Sequence, residues 1–242
     1  MVNTLLCRNF AQIFCTMVLR RDWWKILAVL LVGFTIVAGL LGTVPRLPIL
    51  NESIRNLYFH VTMWFVMLFL FTISVSSSIA YLSTEKPLWD IRAELAVKVG
   101  MVTATLGILT GMIWANFTWG KPWVNDPKLN GAAVSFMGYA AYLILRQSMD
   151  DPEKKARIAA VYNIFAFVMM IVFIQILPRL TDSLHPGSGG NPAFSSYDLD
   201  QNMRIVFYPA VIGWFLIGYW IYTLLVRIRL IQNKLKQSQW ND

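Results

Sequence analysis

The sequence predicts an all-α polytopic membrane protein: a bundle of six transmembrane helices with both termini cytoplasmic. Three observations carry that prediction. Of 242 residues, 57% are apolar and only 14% charged. Apolar runs recur at 26–44, 57–82, 95–115, 131–145, 158–178 and 205–226, and about 20 such residues cross a hydrocarbon core of roughly 30 Å. Lys and Arg are unevenly divided, with 15 on the side of the two tails and six on the other. The positive-inside rule then makes the tail side cytoplasmic. The net charge of +8 is therefore a topology signal, and its distribution argues against nucleic acid as a partner. Residues 1–242 read as one integral membrane domain, because nothing outside the runs is long enough to fold alone.

The first run follows Arg20, Arg21 and Lys25 but is too long for a signal-peptide core, so it is expected to be a retained helix ending near Pro45. Cys7 and Cys15 fall in the cytoplasmic tail, where a structural disulfide is not expected. The second helix begins around Asn56-Leu-Tyr-Phe-His60 after a short outer loop, 45–56. Its serines 74 and 76–78 offer small residues for close packing. A charged cytoplasmic loop is expected at 83–94. The third helix carries Gly100, Gly107 and Gly111, spaced for one face and a packing seam.

An outer loop, 116–130, follows, and Asp126-Pro127 reads as an N-cap with proline at the first helical position. The connection 146–157 reads as a solvated turn, and the fifth helix is expected to end near Pro178. In the last outer loop, 179–204, Pro186 holds His185 out of the helical region and the glycines beyond permit a sharp turn. The sixth helix runs into a basic tail expected to form a short interfacial helix. The spans contain almost no ionisable residues; Lys98 lies near enough to an end to snorkel. Carboxylates at mid-membrane depth are missing, which disfavours a proton-coupled transporter or ion pump.

The chemistry-bearing residues gather on the outer side. Trp114, Trp119 and Trp123 lie within ten residues, and His60 and His185 are the only histidines. Clustered indoles suit a large flat ligand, a partner or the lipid interface. Two imidazoles from different outer segments suit haem iron, which takes one axial ligand on each face. Arg55 and Lys128 suit the propionates. Each residue also has an ordinary reading: interfacial tryptophans as belt residues, Asp126 as a helix cap, Arg55 and Lys128 as solvated charges.

Three motifs add to this reading. Trp119-Gly-x-x-Trp123-x-x-Asp126 resembles the tryptophan-rich signature of the haem-handling WWD-domain family of cytochrome c biogenesis. Arg55-x-x-Tyr-Phe-His60-Val, followed by Trp64, resembles the start of that family's second helix. Leu184-His185-Pro-Gly-Ser resembles its outer-loop histidine element. Size, span number and motif order are similar to the cytochrome c maturation protein C (CcmC) branch across nearly the whole chain. The resemblance implies a protein that is not an enzyme. It would hold haem b at the outer, periplasmic face of the bacterial inner membrane and deliver it to a CcmE-like haem chaperone. The implied partners are CcmA- and CcmB-like ABC transporter subunits and a small CcmD-like single-span protein. His60 and His185 would be the axial ligands, and Trp119, Trp123 and Asp126 the haem platform. Arg55 and Lys128 match positions where the family places basic residues. Asn125 stands where the signature commonly has tryptophan. Lys128 stands where arginine is usual, so a point charge replaces a bidentate donor.

The alternatives are a direct cytochrome c synthase component, a haem-free permease subunit of an ABC exporter, and an electron-transferring cytochrome b. The permease predicts a coupling helix, for which 146–157 is the candidate. The cytochrome b predicts paired histidines inside helices.

Overall fold

The computed structural model describes residues 22–185 and 199–239. The tail cysteines Cys7 and Cys15, the basic residues Arg8, Arg20 and Arg21, and the turn from Pro186 to Gly190 lie outside them. Among the described residues the chain forms helices and no strands. The long ones are α1 (Trp23–Leu41), α2 (Leu57–Thr84), α3 (Pro87–Trp119), α4 (Pro127–Gln147), α5 (Pro152–Ile171) and α6 (Gln201–Gln239). A 3-10 turn, Asn51–Asn56, leads into α2, and α5 continues through a π turn, Val172–Ile176, to Leu180.

Five of these helices are long and apolar enough to cross a membrane unaided, namely all but α4. The apolar part of α4, 131–145, rises only about 22 Å at 1.5 Å per residue, so the fourth of the six expected runs is the shortest. Its polar ends are accommodated by partners. Arg146 is buried and bonds Asp90 of α3 at 2.6 and 2.9 Å and Glu94 at 3.3 Å. The fold is thus an all-α polytopic membrane bundle.

Helix ends follow local chemistry more closely than hydropathy does. The expected loop 83–94 shrinks to Glu85 and Lys86, because Pro87 opens α3 at its first helical position. Asp90 and Glu94 are helical and paired, so this stretch is not a solvated loop. Lys98 reaches back one turn to Glu94 at 2.5 Å rather than only snorkelling. The connection 146–157 likewise reduces to 148–151, with Asp151 capping α5 through the Lys154 N–H at 2.9 Å. The basic tail is an unbroken extension of α6 to Gln239, not a separate interfacial helix.

Two close approaches set the bundle. The first is the α2–α3 seam, where Phe71, Trp64 and His60 of α2 lie against Gly100, Gly107 and Gly111 of α3. A Cβ on these glycines would meet the three rings at 2.4, 2.9 and 2.7 Å. The serine cluster does more than permit packing, since Ser74 and Ser78 accept hydrogen bonds from buried Asn163 of α5 at 2.7 and 2.8 Å. The second approach is at Gly131 of α4, where a Cβ would stand 2.3 Å from the Phe173 carbonyl oxygen in the π turn. Pro178 cannot donate to a carbonyl one turn back, and a π turn just before it absorbs that gap. Helix α5 therefore runs past Pro178 to Leu180, with its end against the start of α4.

Candidate functional site

Antiparallel succession brings the C-terminal ends of α1, α3 and α5 together with the N-terminal ends of α2, α4 and α6. The tryptophan segment, His60 and His185 all lie at this one end, as direct contacts show. His60, in the first turn of α2, sits edge-on to Trp114 at 5.8 Å and to Trp64 at 6.2 Å between ring centroids. His185 sits edge-on to Trp119 at 5.0 Å. His60 is also within electrostatic range of His185 and Lys128.

The expected loop 116–130 is mostly helix. Helix α3 continues through Trp119 and stops at Gly120, whose φ of 73° is a left-handed cap that favours glycine. Only 120–126 is non-helical, so Trp114 and Trp119 are held on a rigid helix and Trp123 alone lies on the loop. Trp123 is 38% exposed and its indole N–H donates to Asn130 Oδ1 at 3.3 Å. Asn125 accepts from the Asn130 side-chain amide at 2.8 Å, which makes it a brace of the loop.

Asp126 has a larger role than the sequence suggested. It caps α4 as expected, with Oδ1 accepting from the Lys128 and Leu129 N–H groups at 2.9 and 3.3 Å. The same oxygen lies 3.1 Å from His185 Nδ1. Its other oxygen accepts from the Ser183 hydroxyl at 2.9 Å and the Leu184 N–H at 2.8 Å. At 1% exposure, Asp126 is a buried hub joining α4 to the segment after α5. It is not an exposed platform residue, and it would act on any ligand through His185. Burial by itself would raise its pKa. The Leu184 N–H and Ser183 hydroxyl, with His185 and Lys128, outweigh burial and hold the carboxyl below its ordinary 3.8.

The two histidines are prepared alike. His60 Nδ1 lies 2.9 Å from the Gly107 carbonyl oxygen, an acceptor only, so Nδ1 carries the hydrogen and Nε2 the lone pair. His185 Nδ1 faces a carboxylate, with the same consequence. Burial lowers the His185 pKa most and Lys128 lowers it further, against the opposing pull of Asp126. The imidazole is therefore neutral at pH 7. A carboxylate or carbonyl that fixes the tautomer and raises the basicity of the far nitrogen is the arrangement found behind metal-ligating histidines.

The basic residues divide. Arg55 is engaged within the protein: it donates to the Gly39 and Gly42 carbonyls at 3.0 and 2.6 Å and pairs with Glu52. It thereby caps the C-terminal end of α1, and an incoming carboxylate would have to displace Glu52. Lys128, half-buried, lies two residues beyond Asp126 and donates its backbone N–H to Asp126 Oδ1 at 2.9 Å. A cleft of about 600 Å³ opens between the ends of α1 and α3, with Arg55, Glu52 and Trp114 in its wall and neither histidine among its lining. Sequence reasoning missed Ser183, and took Gly107 and Gly111 for a packing seam without their contact to His60. The glycine spacing was visible as a seam, but nothing local marked one end of it as the seat of His60.

The bundle thus carries two imidazoles and a group of indoles at one rim. The family described as cytochrome C assembly protein matches residues 2–184, and this chain belongs to it, with a role in cytochrome c maturation. The chain is similar to heme exporter protein C of Bradyrhizobium diazoefficiens, 24% identical over 190 residues, 78% of this chain and 71% of that one. It is similar as well to heme exporter protein C of Paracoccus denitrificans, 23% identical over 179 residues, 74% and 73% of the two chains. A shorter match, 37% identical over 88 residues, is to the cytochrome c biogenesis protein CcsA of Prochlorococcus marinus (strain MIT 9515), covering 36% of this chain and 28% of that one.

Proposed function

We propose that this protein, without acting as an enzyme, binds haem b between His60 and His185 and delivers it to a haem chaperone during c-type cytochrome maturation. The observation that carries the reading is the shared preparation of the two imidazoles at one rim of the bundle. Each has Nδ1 turned to an acceptor, 2.9 Å for His60 and 3.1 Å for His185, and so an Nε2 lone pair suited to iron. Trp114 and Trp119 stand edge-on to the imidazoles and offer apolar walls, while Trp123 extends the aromatic surface to the rim. Lys128 supplies positive charge for a propionate.

The two ligands would differ in role. His60 is fixed in a helix against Gly111, and moving it means disturbing the seam. His185 lies beyond α5 on a non-helical segment held through Asp126, so it can be exchanged without unwinding a helix. Delivery to a chaperone needs one such exchangeable ligand. The site would face the periplasm, with ABC transporter subunits and a small single-span protein beside the bundle. The direct synthase reading draws on the CcsA likeness, but that spans about a third of the chain, whereas the heme exporter likenesses span three quarters. Of the permease reading's candidate coupling segment, 146–157, only 148–151 lies between α4 and α5, which favours the haem reading.

The test is the absorption spectrum of the purified protein and its His60→Ala, His185→Ala and double variants, with haem on a co-expressed chaperone measured alongside. A Soret band that shifts in each single variant and vanishes in the double supports the reading. Unchanged spectra in both single variants would sink it.

A further inference from the structure

A second cleft lies at the opposite end of the bundle, on the tail side. It encloses about 680 Å³ between α2, α3 and α6. Along α2 it runs from Phe69 to Ala80, about 16 Å at 1.5 Å per residue, close to half the thickness of a hydrocarbon core of roughly 30 Å. It therefore spans one leaflet. Its deep wall is aromatic and aliphatic, with Phe69, Ile73, Tyr219 and Tyr222, and its mouth holds Trp89, Arg92 and Arg227. The Arg92 guanidinium lies over the Trp89 ring, 4.8 Å from its centroid.

The charges at this mouth are unbalanced. Nearby cations have carboxylate partners: Arg146 pairs with Asp90 and Glu94, Lys98 and Arg229 share Glu94, and Arg157 pairs with Glu85. Among the described residues neither Arg92 nor Arg227 is ion-paired. Two guanidiniums over a one-leaflet apolar slot complement a molecule with an anionic head and a chain about 16 Å long. They sit where headgroup phosphates lie, and guanidinium matches phosphate geometry bidentately.

We propose that this groove holds an anionic phospholipid of the tail-side leaflet, its acyl chain along Phe69, Ile73, Tyr219 and Tyr222 and its phosphate against Arg92 and Arg227. This site is separate from the histidine rim and does not depend on the haem reading. Bound there, the lipid lies against both α2 and α6, beside the contact of Phe69 with Phe215 and Tyr219.

The test uses the full chain in nanodiscs of mixed phosphatidylglycerol and phosphatidylcholine, followed by detergent release and native mass spectrometry of retained lipid. The wild type should retain phosphatidylglycerol preferentially. Arg92→Gln/Arg227→Gln should lower the retention ratio roughly 30-fold, from about fivefold per basic residue near a membrane surface. Lys234→Gln/Lys236→Gln, the same charge change on the exposed tail of α6, should leave the ratio unchanged. Thr72→Phe, which fills the slot and keeps both arginines, should lower retention of either lipid, so the proposal stays testable if the arginine variant misfolds. Absence of a phosphatidylglycerol preference in the wild type overturns it. So does an equal loss in the tail variant, or an arginine variant that loses haem while keeping its lipid.

Discussion

Asp126→Ala is the most informative perturbation of the rim. The carboxylate accepts from Lys128, Leu129, Ser183, Leu184 and His185 at 2.9, 3.3, 2.9, 2.8 and 3.1 Å. Losing the cap alone costs about 1 kcal/mol. The three contacts to 183–185 are a different matter, because hydrogen bonds to a charged acceptor contribute about 1.5–3 kcal/mol each. Water entering the loosened loop recovers part of this, leaving on the order of 3–5 kcal/mol against docking of the His185 segment. The bundle itself should survive, since its seams lie elsewhere, so the thermal midpoint should move little. Haem retention should fall about 10–100-fold, the usual effect of removing a group that orients a metal-ligating histidine. Asp126→Asn should lie between, because its amide NH₂ replaces an oxygen that accepts from Ser183 and Leu184. The assay is haem content with ligation read by electron paramagnetic resonance. An Asp126→Ala protein with wild-type haem and ligation, while His185→Ala loses both, would refute the argument that Asp126 acts through His185.

The remaining predictions concern the seam, the ion pair, pH and topology. Gly111→Ala places a Cβ 2.7 Å from the His60 ring, so it should cost about 1–3 kcal/mol by overpacking and alter the haem spectrum, read by melting in detergent and absorption. Arg146→Ala strands Asp90 at a partly buried helix junction, while Glu94 keeps Lys98, and should cost about 3–5 kcal/mol; adding Asp90→Asn should restore much of the melting temperature. His185 titrates below its ordinary 6.5 and Asp126 below its ordinary 3.8. A depressed imidazole loses its stabilising contribution as pH falls below 6.5, and a depressed carboxyl as pH falls below 3.8 through its folded value. Haem retention should thus hold from pH 8 to about 6.5 and decline on acidification; a rise on acidification would contradict the sign. Cysteines placed at 121 and 182 should react with an impermeant thiol reagent on intact cells, and cysteines at 150 and 234 only after permeabilisation.

Much of this architecture was legible in the chain because spans are local objects. A run of some 20 apolar residues is long enough to cross a bilayer wherever its neighbours lie, and alternation of direction then puts His60, the tryptophan segment and His185 at one end. Helix boundaries were less legible. Hydropathy ended the third span at 115 and began it at 95. Pro87 and Gly120 in fact bound that helix, with Asp90 and Glu94 inside because Arg146 of another helix neutralises them. The fourth helix likewise extends past its apolar run at both ends, from Pro127 to Gln147.

What only the tertiary structure decided is the working geometry of the rim. Asp126 and His185 are 59 residues apart, and each had a sufficient local explanation, as an N-cap and as a residue before proline. Their contact depends on Gly131 admitting the Phe173 carbonyl and on a π turn carrying α5 beyond Pro178, so it follows from helix packing and no local pattern announces it. His60 is similar: its place in the first turn of α2 was local information. The tautomer that leaves its lone pair on Nε2 was set by a Gly107 carbonyl on the neighbouring helix, which reaches the ring because Gly111 has no side chain to exclude it.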